Sequence, residues 1–262
     1  MYAIIATAAA LHGKSKWPLV RKGEASLKVL VIPDVHLKPW MFDRAAEFMK
    51  SGEAEQAVCL MDIPDDWGNE YQLDLYEDTF NAAIRFQNKY PDTLWCYGNH
   101  DLSYEWGQYE SGFSTLAIPV VKMKLNELRA AMRNRSQMKY IHRIDNVLFL
   151  HGGITRAFVK YYAPDADYDD TDAIVEKINS LGIVEMWDDA SPIWFRPQFY
   201  NEKMYKENEL LQVVGHTPVK EIDRIGNVLS CDVFSTYRTG DPIGTEELLL
   251  IDTMTWDYKG VK

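Results

Sequence analysis

The sequence predicts a layered α/β fold with mixed sheets, and three observations carry that prediction. Apolar, strand-like runs alternate with helical patterns early in the chain, strand-like runs follow one another later, and polar clusters stand at the ends of five of these runs. With 47% hydrophobic and 26% charged residues over 262 positions, the composition is that of a folded globular protein rather than a disordered one. A chain of this length buries about three quarters of its extended surface in one core. A single body over residues 28–262 is expected, with residues 1–27 as an extension packed on it.

Residues 28–33 form an apolar run that leads into Asp34, and 42–50 then reads as a helix. A second run, 57–61, leads into Asp62, and 73–90 carries helical spacing through Leu75, Phe80, Ile84 and Phe86. The third run, 93–97, ends in Gly98-Asn99-His100-Asp101. Further strands are expected at 147–150, 211–214, 228–231 and 247–251, and around His142. Residues 152–210 make a long insert with a helix at 170–180 and aromatic-rich loops. The acidic run 165–172 lacks the glycine and terminal glutamate spacing of a calcium loop and reads as a solvated helix start, where acidic residues favour the N-terminal dipole. No internal period or low-complexity tract appears, which excludes repeat architectures.

The formal charge of −11 repels polyanions, so long nucleic acid is excluded as a general partner. Cys59, Cys96 and Cys231 are too few and odd in number for a disulfide framework, and each lies in or beside an apolar run, which points to a reducing, cytoplasmic setting. The opening stretch to Leu11 resembles the apolar part of a secretory signal, but no basic residue precedes it and it is too short to span a bilayer. No membrane role is expected. Oligomeric state leaves no mark in the sequence.

In open α/β sheets functional groups collect beyond the carboxyl ends of the strands. Here those positions carry Asp34-Val35-His36, Asp62-Ile63-Pro64-Asp65-Asp66, Gly98-Asn99-His100-Asp101, His151-Gly152-Gly153 and Gly215-His216-Thr217-Pro218. Each alone reads equally well as a turn. Together, carboxylate, imidazole and amide oxygen make a donor set for Mn²⁺, Fe²⁺ or Zn²⁺, whereas an all-oxygen set would favour Mg²⁺ or Ca²⁺.

From about Lys28 to about Asp252, through these motifs in the same order, the sequence resembles the calcineurin-like metallophosphoesterases, more particularly their phosphoprotein phosphatase branch with its bacterial diadenosine-tetraphosphate hydrolases. The resemblance implies a four-layer αββα sandwich of two mixed β-sheets flanked by helices, with a dinuclear metal site at the strand ends. It implies two divalent ions, Mn, Fe or Zn, with Mn the ion expected in vitro. Asp34 and His36 would hold the first ion, Asp62 would bridge, and Asn99, His151 and His216 would complete the second. His100 resembles the general acid, oriented by Asp65. Residues 191–197 look like the tryptophan-x-arginine-proline element of the dinucleoside polyphosphatases, which makes Arg196 a phosphate-binding candidate. The implied activity is hydrolysis of a phosphate ester or phosphoanhydride on a nucleotide, dinucleoside polyphosphate or other phosphorylated small molecule. A serine/threonine phosphoprotein phosphatase and a catalytically silent scaffold of the same fold are the alternatives.

Two positions depart from the family pattern. Met61 stands where glycine usually precedes the bridging aspartate, and an extended backbone with negative φ is expected there. Asp66 stands where the phosphoprotein phosphatases carry an arginine, which weakens attraction for a doubly charged phosphomonoester and makes Arg196 the main non-metal clamp, with Arg238 and Arg156 behind it. Arg196 also reads as a surface residue stacked on Trp194 or Phe195. His142 reads as a structural histidine. Trp187, Trp194, Phe195, Phe199 and Tyr200 read either as packing or as a platform for a nucleobase.

Overall fold

The computed structural model describes residues 26–262, so the proposed extension over 1–27 lies almost wholly outside the described residues. The strands are β1 (Lys28–Ile32), β2 (Gln56–Cys59), β3 (Leu94–Cys96), β4 (Met138–Lys139), β5 (Ile141–Ile144), β6 (Val147–Leu150), β7 (Leu211–Val214), β8 (Asp223–Ile225), β9 (Val228–Ser230), β10 (Leu248–Asp252) and β11 (Tyr258–Val261). The helices are α1 (Trp40–Met49), α2 (Leu73–Lys89), α3 (Asn99–Trp106), α4 (Ile118–Ala131), α5 (Arg156–Tyr162), α6 (Thr171–Asn179) and α7 (Ile183–Met186).

Two sheets result, in strand order β11-β10-β1-β2-β3-β4 and β5-β6-β7-β9-β8. Both are mixed: β1 to β4 run parallel with β10 antiparallel beside β1, while β6, β7 and β9 run parallel with antiparallel edges β5 and β8.

Strand alternation builds the layers. In β1, Val29 and Val31 face the second sheet and pack with Phe149, Val213 and Leu229. Leu30 and Ile32 face outward onto Phe42 of α1, Phe80 and Phe86 of α2, and Leu125 and Leu128 of α4. On the far side, Leu148 and Leu150 pack with Phe158 of α5, Ile174 and Ile178 of α6, and Met186 of α7. Helices, sheet, sheet and helices make the expected αββα sandwich.

Helix α6 begins where the acidic run ends, with Asp170 accepting the Ala173 N–H at 3.0 Å as its cap. His142 is a core residue of β5, its Nε2 3.1 Å from the Trp95 and Gln137 carbonyls; burial holds its pKa down at about 4. No helix among the described residues is long and apolar enough to cross a membrane.

Candidate active site

The parallel strands of both sheets end on one cleft. The segment after β1 supplies Asp34 and His36, that after β2 supplies Asp62 and Asp65, and the start of α3 after β3 supplies Asn99 and His100. His151 follows β6 and His216 follows β7. These eight sequence-predicted residues therefore fall in one neighbourhood.

The first two loops are joined by backbone bonds: Val35, His36 and Leu37 donate to the carbonyls of Met61, Asp62 and Ile63 at 2.8–3.0 Å. Asp62 Oδ2 lies 3.1 Å from His151 Nε2 and 3.9 Å from His36 Nε2, and Asp62 Oδ1 accepts the His100 N–H at 2.9 Å. His151 Nε2 is also 3.0 Å from Asn99 Oδ1 and 3.2 Å from His216 Nδ1. Asp34 Oδ1 accepts the His216 N–H at 2.7 Å and lies 3.7 Å from His151 Nδ1.

Two glycines permit this crowding. A Cβ on Gly98 would stand 1.9 Å from Asp62 Oδ1, and one on Gly215 would stand 2.0 Å from Asp34 Oδ2. The glycines of the Gly-Asn-His and Gly-His motifs are thus demanded by the carboxylates packed against them.

Met61 corrects a sequence expectation. Its φ is +56° and that of Asp62 is +41°, so the pair is left-handed, not extended. The compensating force is the Asp101 carboxylate, which accepts the N–H groups of Asp62 at 2.8 Å, Ile63 at 3.2 Å and Gly98 at 3.2 Å. The Met61 side chain is fully buried in the outer core. His36, Leu37, Asp65 and His216 also have positive φ, so unusual backbone gathers at this cleft.

The donor set fits a pair of divalent ions. Ligand atoms of His36, Asp62 and His100 lie within 4.8 Å of one another, as do those of Asp62, His151 and His216, with Asp62 common to both groups. Asp34 Oδ2 and His216 Nε2 are buried without a hydrogen-bond partner, a condition that coordination would relieve. Electrostatics divide the imidazoles. Burial, with His151 and Arg196 nearby, holds His216 well below the usual histidine value, and burial likewise lowers His36. Burial opposes protonation of His151, yet Asp62 and Asp34 push its pKa up to about 9.

His100 is set apart from the others. Its Nδ1 is 2.9 Å from Asp65 Oδ2, while Asp65 Oδ1 accepts hydroxyls from Tyr76 at 2.8 Å and Tyr104 at 2.5 Å. Burial works against the charged form, but Glu110, Asp62 and Asp65 outweigh it and raise the pKa to about 10. This is the arrangement of an imidazole held in orientation by a fixed carboxylate.

The cleft is lined further by Trp67, Glu110, Trp194, Arg196, Asp232 and Thr236. Arg196 is partly buried and donates to the His216 carbonyl and, at 3.2 Å, to Thr217 Oγ1; it is a cleft residue, not a surface arginine. Arg238 is exposed and lies over the Trp67 ring at 4.7 Å, and Arg156 lies over Tyr168, which does not line the cleft. Asp66 is fixed by Lys38 Nζ at 3.0 Å, Thr236 Oγ1 at 2.7 Å and the Trp67 N–H at 2.9 Å, so its charge is matched within the wall. The aromatic set does not form one platform: Trp194 packs edge-on to His216 in the cleft, whereas Phe199 and Tyr200 are exposed beside a different cavity.

Three residues of the site had no assigned role from the sequence. Asp101 stands third in α3 and fixes the Asp62 turn. Asp232, buried after β9, adds to the burial that raises Asp34. Glu110 accepts from Asn99 Nδ2. Only Asp101 and Asp232 had a signal, a carboxylate placed just after an apolar run.

The sequence profile of the calcineurin-like phosphoesterases matches residues 27–243. No curated protein matches the chain. Among solved structures, a cold-active protein-tyrosine phosphatase of a psychrophilic Shewanella is similar at 16% identity and a TM-score of 0.55, covering 91% of this chain and 81% of that one. A cold-active protein tyrosine phosphatase at 1.1 Å follows at 17%, with a TM-score of 0.53 over 90% and 79%. A metallophosphoesterase from Sphaerobacter thermophilus is 12% identical, covering 91% and 89%, with a TM-score of 0.39.

Proposed function

This chain belongs to the calcineurin-like phosphoesterase family, a family of metal-dependent phosphoester hydrolases with a dinuclear site, and we propose that it hydrolyses a nucleotide or dinucleoside polyphosphate by direct attack of water. The observation that supports this most is a cleft whose wall carries His36, Asp62, Asn99, His216, the Asp65–His100 pair and Arg196, with Asp34 and His151 buried against Asp62 and His216 behind it.

In this reading residues 28–262 act as one domain. Asp34, His36, Asp62, Asn99, His151 and His216 would hold the pair of ions, with Asp62 shared between them. The chemistry a divalent pair, Mn²⁺ in vitro, would supply when bound is charge neutralisation of a phosphoryl group and activation of the attacking water. Asp65 fixes the His100 ring through Nδ1, which leaves Nε2 to hold the proton given to the leaving oxygen; such help is worth about 10²–10⁴-fold. Arg196, held by the His216 carbonyl and Thr217, steadies a phosphate oxygen. The nucleotide reading is supported by Arg196 in the tryptophan-x-arginine-proline element and by Trp194 and Trp67 in the cleft wall. Asp66 in place of a cationic clamp disfavours a phosphoprotein phosphatase. The buried, unpaired cysteines support a cytoplasmic setting.

The test is a turnover panel with metal-stripped protein reloaded with Mn²⁺, Fe²⁺ or Zn²⁺. Diadenosine tetraphosphate should give the highest kcat/KM against a phosphopeptide, a nucleoside monophosphate and RNA ends. No turnover of any of them with any ion would overturn the hydrolase reading in favour of the scaffold.

A further inference from the structure

Asp65 is buried, and both of its carboxylate oxygens are engaged. Oδ1 accepts the Tyr76 hydroxyl at 2.8 Å and the Tyr104 hydroxyl at 2.5 Å, while Oδ2 meets His100 Nδ1 at 2.9 Å. The two phenols come from different helices, α2 and α3, and both are fully buried. Tyr104 is itself tied down: its oxygen accepts the Ser114 N–H at 2.9 Å, and its ring stacks on Phe113 with 4.3 Å between centroids. A backbone N–H can only donate, so the single hydroxyl proton of Tyr104 goes to Asp65. Burial and the neighbouring carboxylate raise both phenols well above the ordinary tyrosine range, which keeps those protons in place.

Two hydroxyls on Oδ1 stop the carboxylate from turning about its Cβ–Cγ bond and leave Oδ2 as the oxygen for the imidazole. Nδ1 is thereby the bound nitrogen of His100, and Nε2 is the one left on the cleft side. His36 is also held by Asp65, but through the backbone: its Nδ1 donates to the Asp65 carbonyl at 2.8 Å. Loss of the hydroxyls therefore frees the His100 ring and leaves the His36 ring where it is.

We propose that Tyr76 and Tyr104 are positioning residues, which act through Asp65 to hold the His100 ring at the angle that proton delivery requires. The proposal rests on the hydrolase reading above and names the groups that keep its acid aligned.

The test uses the full-length wild type, Tyr76→Phe, Tyr104→Phe and the double variant; phenylalanine keeps each buried ring and removes the hydroxyl alone. With Mn²⁺ loaded, kcat and KM are measured for phenyl phosphate, a poor leaving group, and p-nitrophenyl phosphate, a good one, and ion content is followed by elemental analysis. Each single variant should lose about tenfold in kcat with phenyl phosphate and less than about twofold with p-nitrophenyl phosphate, at unchanged KM and ion content. The double variant should approach the loss of His100→Asn. Equal losses for the two esters, no loss for either, or loss of the ions overturns the proposal. A second measurement needs no turnover: in Zn²⁺-loaded protein with isotope-labelled histidine, the ring N–H resonance that is missing from His100→Asn should shift or broaden in each tyrosine variant, and a resonance unmoved in both overturns the proposal. Should one single variant fail to fold, the other carries the same test. If the wild type turns over neither ester, the hydrolase reading fails instead, and the spectrum still decides whether the hydroxyls hold the ring.

Discussion

At the α3 side of the cleft, burial should strip the proton from His100, yet Glu110, Asp62 and Asp65 outweigh it and hold the ring charged, with its pKa near 10. At the β7 side, burial acts together with His151 and Arg196, and His216 is held neutral with its Nε2 buried and without a hydrogen-bond partner. The same side chain is held protonated in one place and neutral in the other by its neighbours alone. His151 lies between these extremes: its raised pKa reflects two close carboxylates, and a bound cation would have to displace that proton.

The largest break in this contrast should come from Asp62→Asn, because Asp62 touches both sides. Turnover should fall to background and elemental analysis should find neither ion; two ions per chain in the variant would overturn the proposed bridging role of Asp62. His100→Asn breaks the proton-carrying side alone. It should retain the ions and lose about 10²–10⁴-fold in kcat, most with poor leaving groups. An equal loss across leaving groups would contradict acid catalysis. The sign of the pH effect follows: the raised pKa keeps His100 protonated through neutrality, so the wild type should lose turnover of poor leaving groups only as pH climbs toward the alkaline range, and the variant should lack that limb. The smallest effect falls on the ligand side. Arg196→Ala should raise KM about tenfold, equivalent to about 1.4 kcal/mol, with little change in ion content. A KM unchanged for every substrate would exclude phosphate binding by Arg196.

Much of this architecture was legible in advance because burial imposes period. The 73–90 pattern became α2, Leu73–Lys89, and all the apolar runs became strands within two residues of their expected limits. What lacked a signal was edge structure: β8 reads Asp-Arg-Ile and β11 reads Tyr-Lys-Gly-Val, mostly exposed, and their pairing comes from β9 and β10 rather than from their own residues. Helix α4 did have a signal, Val121, Leu125 and Leu128 at helical spacing. In the site, the ligand-type residues were readable as motifs. The left-handed turn at Met61 was not, because its cause, the carboxylate of Asp101, lies 39 residues from Asp62. Glu110 was hidden for the same reason, its neighbours being fixed by a loop path and not by spacing.

The bond from the His216 amide to the Asp34 carboxylate joins positions 182 residues apart, each just beyond the end of a strand, β1 of one sheet and β7 of the other. Nothing local assembles such a pair. A growing chain can complete its first parallel strands early, but the pocket cannot exist until the segment beyond β7 has emerged and the second layer has docked on the first. Reactivity therefore arrives with the last steps of maturation, and a chain interrupted before Gly215 would be inert, not merely weakened.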